Sequence, residues 1–417
     1  MELQYPCCCG LDVHKASVVA CLVRVVTTGV RSKEIRTFGT TTGELAGLGT
    51  WLWAAGCACA AMESTGVLWK PVYNVLTDAA YGLDVRVANA QHVRGMPGRK
   101  TDVGDAEWLA DLLQHGLLKS SFIPDRAQRE LRDLTRTRTS LTDERSAAVK
   151  RLQKVLEDAN IKLSGVATDV MGVSGRAILA ELLAGNTDPA VLAELARGRL
   201  RAKIPQLEQA LAGRLRAHHR ELVALHLSHV DFLDEAIDGL SARIAEQTRP
   251  VEAELQRLET IPGVKRRTAE VLAAETGVTM APFPSAHHLA SWAGMVPGNN
   301  ASAGKRKGGK TRKGSKWLRR ALVEAARAAA RTKRPGRTAF AEQYRRLVVR
   351  TGPKKAAVAV GHAILLTAYY LLTRQTTYRH PEPAALDDNH RRRLERRALA
   401  QLAALGYHVT LQPTEAA

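Results

Sequence analysis

Aromatic residues are scarce in this chain, since only 5% of its 417 residues are Phe, Trp or Tyr. Hydrophobic residues still make up 45% of the sequence, so its cores must be built mainly from Ala, Leu and Val. An uninterrupted apolar run of about 18 residues is missing, and we expect no membrane span. The N-terminus, MELQYPCCCGLDVHK, lacks the charged start and long apolar core of a signal peptide. We therefore expect a soluble, intracellular protein of two or three domains.

Cysteine is confined to the first 60 residues. The six cysteines are Cys7, Cys8, Cys9, Cys21, Cys57 and Cys59. No pair of them has the CxxC spacing of a zinc site, and adjacent cysteines make poor disulfide partners. The pattern predicts buried free thiols in a reducing cytoplasm.

Acidic residues are too few to balance the basic ones. There are 41 Asp and Glu against 61 Lys and Arg, which leaves a formal net charge of +20. Such an excess attracts polyanions, and nucleic acid is the most common partner of this kind. The charge alone also fits a ribosome-associated or merely basic protein, so motifs must decide between these classes.

The first third of the chain has a recognisable order of elements. We predict strands at 7–13, 17–26, 34–40, 57–62 and 83–89, and helices at 42–55, 67–80 and 102–115. The order β-β-β-α-β-α-β-α is typical of the ribonuclease-H-like fold, whereas a generic α/β domain more often begins with a βαβ unit. The predicted fold class is therefore α/β plus α, with an N-terminal mixed sheet.

The rest of the chain is predicted to be mostly helical. Leu at helical intervals amid alternating charges predicts a coiled-coil or helical-hairpin spacer at 126–257, which we interpret as an oligomerisation arm. The segment LETIPGVKRRTAEVLAAETG predicts two helices joined by a Pro-Gly turn, as in a helix-hairpin-helix element that grips phosphate. The predicted domains are 1–125, 126–257, 258–375 and a basic tail at 376–417.

Four carboxylates coincide with the ends of predicted elements. Asp12 ends the first strand in GLDVHK, and Glu63 ends the fourth in MESTG. Asp102 and Asp105 lie three residues apart, on one face of the closing helix. In the ribonuclease-H-like fold the first and fourth strands are neighbours and this helix packs across their ends. The four like charges then converge and need compensating cations, which two Mg²⁺ ions on hard oxygen ligands supply for in-line phosphoryl transfer.

Each carboxylate by itself has an ordinary explanation. Asp12 fits a turn residue, Glu63 a neighbour of a helix cap, and Asp102 an N-cap followed by a first-turn acid. An actin-like ATPase also begins with a strand that ends in Asp, but it needs further glycine-rich phosphate loops, and none is convincing here. Only the joint placement of the four residues favours a metal site.

A basic segment follows Ser302. Between residues 305 and 337 there are fourteen basic residues and one acid, and glycines keep its first part open. Such a loop can wrap a phosphate backbone, although a disordered solubilising segment has a similar composition. Serine beside clustered cations can attack a phosphodiester, because the cations stabilise the developing charge. The predicted nucleic-acid-binding residues are Lys305, Arg306, Lys307, Lys310, Arg312, Lys313, Lys316, Arg319 and Arg320.

These motifs resemble a known family, the DEDD transposases of the IS110 and IS1111 insertion sequences. GLDVHK, MESTG, KTDVGDA, IPGV and SWAGMVPG followed by SAGKRKGG occur in the family's order and spacing, over residues 8–125 and 255–375. The resemblance implies a RuvC-like domain whose catalytic metal ligands map to Asp12, Glu63, Asp102 and Asp105. It also implies that Ser302 is the nucleophile of a C-terminal transposase domain.

The resemblance further implies how such a protein works. Family members form a covalent protein–DNA intermediate, and a structured guide (bridge) RNA pairs with donor and target DNA. They use Mg²⁺, with Mn²⁺ as a substitute, and assemble as dimers or tetramers in the bacterial cytoplasm at the nucleoid, without a membrane. One feature departs from the family: many relatives have an aromatic residue and a Ser-Gly pair near the nucleophile. Here Ser302 is followed by Ala303, and it is the only serine between Ser291 and Ser315.

Two other functions remain open from the residues alone. A metal-dependent nuclease or junction resolvase needs the four carboxylates but not Ser302. A non-enzymatic nucleic-acid-binding protein on a degenerate fold needs neither, and loss of a carboxylate would have pointed to it.

Overall fold

The computed structural model describes residues 4–25, 30–64, 66–78, 80–89, 93, 102–298, 300–302, 305–308, 310–331, 338–379, 388–407 and 409. For residues 102, 103, 300–302, 305–308, 388–394 and 397 it describes the backbone alone. The chain divides into two compact units, Met1–Pro124 and Asp125–Ala417.

The first unit has the predicted order of strands and helices. Its elements are β1 (Cys7–Val13), β2 (Ser17–Val25), β3 (Arg31–Gly39), α1 (Thr42–Ala54), β4 (Cys59–Glu63), α2 (Trp69–Leu76), β5 (Asp84–Ala88) and α3 (Asp102–Gln114). The strands form one sheet in the order β3-β2-β1-β4-β5. Strands β1 to β3 are an antiparallel meander, whereas β4 and β5 run parallel to β1. This mixed five-stranded sheet fits the predicted ribonuclease-H-like fold.

The predicted boundaries differ from the observed ones at β3, among other elements. We predict it from residue 34, but it begins at Arg31, because its ladder with β2 continues from Ser17↔Gly39 to Val25↔Arg31. The added residues are polar and exposed, so no apolar alternation marks them in the sequence. The length of the partner strand, and not the local pattern, decides where β3 begins.

The cysteines are all free thiols in the core strands and at their ends. Five are buried and Cys7 is half-buried, which confirms that they are unpaired and mostly buried. Burial raises the pKa of Cys8 and Cys59 to about 12, so these thiols stay protonated at neutral pH.

Gly10 allows helix α3 to pack directly on β1. A Cβ atom at this position would lie 2.0 Å from Ala106 O and 2.5 Å from Ala110 N, both backbone atoms. We expect Gly10→Ala to lower the free energy of unfolding by about 1–3 kcal/mol, because the helix must move away from the sheet. Gly47→Ala on α1 is the control, since nothing lies within 4 Å of a Cβ there. It should be neutral or slightly stabilising in the same urea denaturation, and equal stability of both variants would contradict this packing.

The second unit is almost entirely helical. Its helices are α4 (Arg126–Asp158), α5 (Leu163–Val166), α6 (Val173–Ala184), α7 (Pro189–Glu194), α8 (Ile204–Leu211), α9 (Ala217–Thr248), α10 (Glu252–Glu259), α11 (Arg266–Thr276), α12 (Ala286–Trp292), α13 (Lys316–Arg331), α14 (Ala339–Arg374) and α15 (Asp388–Ala404). Gly198–Lys203 and Arg249–Val251 are 3₁₀ helices, and β6 (Asn300–Ser302) and β7 (Lys305–Gly308) form a hairpin. The long helices α4 and α9 pack along each other as a helical pair. The domains proposed at 126–257, 258–375 and 376–417 stay a prediction.

Buried ion pairs attach α4 to α11 within this unit. The side chains of Arg138 and Glu270 are 5% and 4% exposed, and their charged groups are 2.6 Å apart. Arg136 donates two hydrogen bonds to Glu275, at 2.7 and 2.9 Å. Because a buried charge is tolerated only when it is paired, these contacts fix α4 against the helix that follows the Pro-Gly turn.

Helix α14 is long and apolar enough to cross a membrane by length and composition. It is kinked at Gly352 (φ 77°), which is followed by Pro353. Of its most apolar stretch of 18 residues, 56% is buried inside the protein. A core helix passes the same test, and the packing of α14 against α13 is that of a core helix.

Candidate active site

The carboxyl ends of β1 and β4 bring Asp12 and Glu63 next to each other. The two strands are parallel neighbours, and Leu11 is in register with Met62. One residue further along each strand, Asp12 therefore lies beside Glu63, at a strand spacing of about 4.8 Å. Leu11 and Met62 are buried in the core under α1 and α2, so the two carboxylates start from the opposite face of the sheet.

Helix α3 covers that opposite face and runs antiparallel to β1. The Gln4 N–H, just before β1, donates a hydrogen bond to Gln114 O at the C-terminus of α3 (3.0 Å). Further along the strand, Gly10 lies against Ala106 of the same helix. Asp12 is two strand residues beyond Gly10, or about 6.6 Å. Asp102 is four helix residues before Ala106, or about 6 Å. The first turn of α3 thus reaches the level of the two strand-end carboxylates.

The other two predicted ligands belong to this first turn of α3. Asp102 is its first residue, and the side chain of Asp102 lies outside the described part of the structure. Asp105 is half-buried, and no basic side chain of the described residues forms an ion pair with it. The next acid differs, since Glu107 is 3.6 Å from Lys33 Nζ on β3. Glu107 therefore attaches the helix to the sheet, whereas Asp105 forms no such ion pair with a described residue.

His14 is a further residue beside this site, and the sequence motifs alone did not identify it as part of the site. Its Nε2 lies 3.0 Å from Asp12 Oδ2, and its side chain is 47% exposed while that of Asp12 is 20% exposed. The His14 N–H donates to Ser17 O (2.9 Å) in the turn between β1 and β2. The available signal was its position two residues after Asp12, in the motif GLDVHK. With Nε2 protonated, His14 donates to the Asp12 carboxylate and restricts its orientation.

A second group of possible metal ligands lies in the helical unit. The donor atoms of Asp158, His218 and His219 lie within 4.8 Å of one another, and no other trio among the described residues meets this distance. The three line a cavity of about 450 Å³ together with Arg214 and Arg216. The two guanidinium groups oppose the binding of a cation there.

Hydrogen bonds explain this group without a metal. His219 Nδ1 accepts a hydrogen bond from the Arg216 N–H (3.2 Å), so the proton of the neutral ring is on Nε2. Nε2 donates it to Asp158 Oδ2 at 2.9 Å. A metal on Nε2 would force the proton onto Nδ1 and break the first hydrogen bond. We assign the group to capping the N-terminus of α9.

Ser302 lies on a β-hairpin, not in the open loop that we predict. Strands β6 and β7 are antiparallel, and Ser302 is in register with Lys305. Residues 303 and 304, which would connect them, lie outside the described residues, as do the side chains of Ser302 and Lys305. Backbone pairing across the short connection fixes the two strands, which glycine content alone does not predict.

The base of this hairpin is held by one guanidinium group. Arg319 Nη2 donates to Gly294 O (2.6 Å) before the hairpin and to Arg312 O (2.7 Å) after it. Gly298 N–H also donates to Lys310 O at 2.9 Å. These contacts join the two ends of the hairpin segment and root it at the start of α13.

The predicted basic residues whose side chains are described fall into two groups. Some form hydrogen bonds to other parts of the protein, and the others are exposed to solvent. Arg319 holds the hairpin base, and Arg320 donates to Asp143 on α4 and to Glu324 (3.0 Å), which lowers the pKa of Asp143. Side chains of Lys305, Arg306 and Lys307 lie outside the described residues. The exposed basic residues of the set are Lys310, Arg312, Lys313 and Lys316. Arg319 and Arg320 are thus committed to protein contacts, which charge counting in the sequence does not distinguish.

Two family models match this chain, one over an N-terminal part and one over a C-terminal part. The model of the DEDD transposases of the IS110 type matches residues 9–161, which include Asp12, Glu63 and the first turn of α3. The model described as the transposase IS116/IS110/IS902 family matches residues 255–342, which include Ser302.

Several curated transposase sequences are similar to this chain. A probable family 20 transposase of Pseudomonas aeruginosa is 25% identical over 306 residues, 72% of this chain and 80% of that protein. The transposase for insertion sequence element IS1111A of Coxiella burnetii is 24% identical over 302 residues, 72% of this chain and 74% of that protein. A putative transposase of Sinorhizobium fredii is 33% identical over 168 residues, so that this chain spans 43% of that relative. The solved structure of Thermus thermophilus RuvC matches 28% of this chain and 99% of its own, at 14% identity and a TM-score of 0.22.

Proposed function

The chain belongs to the IS110 family of insertion-sequence transposases, and we propose that it cuts and rejoins DNA to move such an element. The observation that carries the proposal is the placement of Asp12 beside Glu63 under the first turn of α3. Carboxylates gathered at the ends of parallel strands suit phosphodiester chemistry.

The donor set fits divalent metal ions. Asp12 and Glu63 offer hard carboxylate oxygens, and Asp105 has no partner among the described basic side chains. Asp12, Glu63, Asp102 and Asp105 would hold Mg²⁺, for which Mn²⁺ can substitute. Bound there, the ions supply activation of an oxygen nucleophile and stabilisation of charge on the phosphoryl group. His14 keeps the Asp12 carboxylate oriented at the edge of the sheet.

Ser302 is the proposed covalent nucleophile. Its Oγ gives up its proton and forms a bond to phosphorus, the bond from phosphorus to the leaving sugar oxygen breaks, and that oxygen takes up a proton in exchange. Rejoining reverses the step with a sugar hydroxyl of the new partner strand. Ser302 belongs to the hairpin whose base Arg319 holds, and the exposed Lys310 and Arg312 near that base would offset phosphate charge.

The remaining partners follow from the family resemblance. We propose that a structured guide RNA specifies donor and target DNA, and that the chain acts as a dimer or tetramer in the bacterial cytoplasm at the nucleoid. The basic excess of the chain suits both nucleic acids.

A recombination assay tests this proposal. One plasmid carries the element's ends, a second carries the target, and both are incubated with the full chain, the element's RNA and Mg²⁺. We expect joined plasmids whose junctions appear on sequencing, and none when a chelator replaces the metal. The alternative, a metal-dependent nuclease or junction resolvase, would give cut plasmids without joined ones.

A further inference from the structure

An open groove in the helical spacer has a basic rim. It has a volume of about 870 Å³ and lies between the start of α6 and the 3₁₀ helix Gly198–Lys203. The segment RGRLRAK, residues 197–203, contains four basic residues and no acid. Three of the four, Arg197, Arg199 and Lys203, line the groove.

Hydrogen bonds across the groove hold its walls in place. The Arg197 N–H donates to Ser174 Oγ on α6 (2.9 Å), and Lys203 Nζ donates to Val166 O (3.2 Å) on the opposite side. The groove is underlain by the buried core of the spacer, to which Val170 and Ala196 belong. The backbone that carries the basic groups is therefore attached to the groove walls and packed on this core.

Within the described part of the chain, no acidic side chain pairs with the two arginines of this groove. Arg197 and Arg199 are exposed, and no described acidic residue forms an ion pair with either. Asp169 is the one acid in the lining, and its Oδ1 accepts a hydrogen bond from the Met171 N–H (2.9 Å). Arg201 is different, since it lies outside the lining and is 3.8 Å from Glu194.

We propose that this groove binds the phosphate backbone of duplex DNA, which gives the spacer a substrate contact of its own beside the basic hairpin. Guanidinium groups suit phosphate oxygens, since they offer several donors in a fixed plane. The lining contains no aromatic side chain on which an unpaired base could stack. These groups therefore suit a contact with the phosphate backbone of a duplex, without base readout, better than a contact with a single strand.

Binding of the full chain to a duplex of about 30 base pairs, measured by fluorescence anisotropy over a salt series, tests the proposal. We expect Arg197→Gln/Arg199→Gln to weaken binding at 0.1 M salt by roughly tenfold or more, and to reduce the slope of log affinity against log salt by about 1.8. The control is Lys162→Gln/Arg201→Gln. It removes two charges from the same region, but both are paired with acids outside the groove.

The control should retain the wild-type slope and affinity within about twofold, because paired surface charges contribute little. Equal loss in both double variants, or an unchanged slope in the groove variant, overturns the proposal. So does a loss seen with a hairpin RNA and not with duplex DNA. The binding readout does not require strand exchange, so a failure of the proposed recombination is recognised separately in the plasmid assay.

Discussion

Asp12→Asn is expected to lower recombination by at least about a thousandfold while the chain stays folded. The amide keeps the size of the side chain but removes a negative charge from a position beside Glu63. An amide oxygen is a weaker ligand for a hard divalent cation than a carboxylate, so metal affinity falls as well. Joined plasmids counted by quantitative PCR measure the first effect, and Mg²⁺ titration by calorimetry measures the second.

Glu107→Gln is the matched control for this substitution. It also neutralises an acid of the first unit, but Glu107 is 3.6 Å from Lys33 and belongs to the attachment of α3. Recombination by this variant should stay within about twofold of wild type, since a surface ion pair contributes about 0–1 kcal/mol. Wild-type recombination by Asp12→Asn would falsify the carboxylate site as the catalytic centre.

Ser302→Ala is expected to abolish both recombination and the covalent protein–DNA adduct. Removing Oγ removes the only atom of this side chain that can bond to phosphorus, whereas the hairpin backbone pairing with Lys305 remains. Denaturing electrophoresis of the reaction with labelled DNA shows the adduct, and peptide mapping locates it. Binding of Mg²⁺ at the first unit should be unchanged.

Ser315→Ala supplies the comparison on the other side of the hairpin. Ser315 Oγ accepts a hydrogen bond from the Leu318 N–H (3.2 Å) at the start of α13, so its loss costs about 1 kcal/mol of stability. The adduct should persist in this variant. An adduct that also persists in Ser302→Ala assigns the nucleophile elsewhere, and cleavage without any adduct in the wild type favours the nuclease alternative.

The strand-end carboxylates could be predicted from the sequence because local pattern and chemistry agree there. GLDVHK and MESTG each end a short apolar run with an acid, and a parallel pair of strands places its carboxyl ends at one edge of the sheet. The parallel register of β1 and β4 puts Asp12 next to Glu63 at this edge, and their role as metal ligands stays a prediction. Helix α3 could be predicted from its own periodicity. Its direction across the sheet could not, because that direction is seen only in the contact between Gly10 and Ala106.

The basic segment shows where residue type was insufficient. Nine cations were predicted to bind nucleic acid, but Arg319 holds the hairpin base and Arg320 is paired with Asp143, 177 residues away in the chain. Such long-range partners leave no mark on the local sequence. The same holds for the backbone N–H of Arg197, which donates to Ser174 Oγ on the helix that forms a groove wall.

The sequence by itself was sufficient to predict phosphodiester chemistry, from a basic chain with four carboxylates at element ends and a serine before a cationic segment. Side-chain alternation and helical periodicity are local properties, so they can be read without knowing the partners of each element. Only the tertiary structure decided which charges are paired within the protein. Glu107 pairs with Lys33 on a strand distant in sequence and Arg201 with Glu194 on the preceding helix, whereas no described residue forms an ion pair with Asp105 or Arg199. These contacts depend on how the elements pack, and that packing exists only in the folded chain.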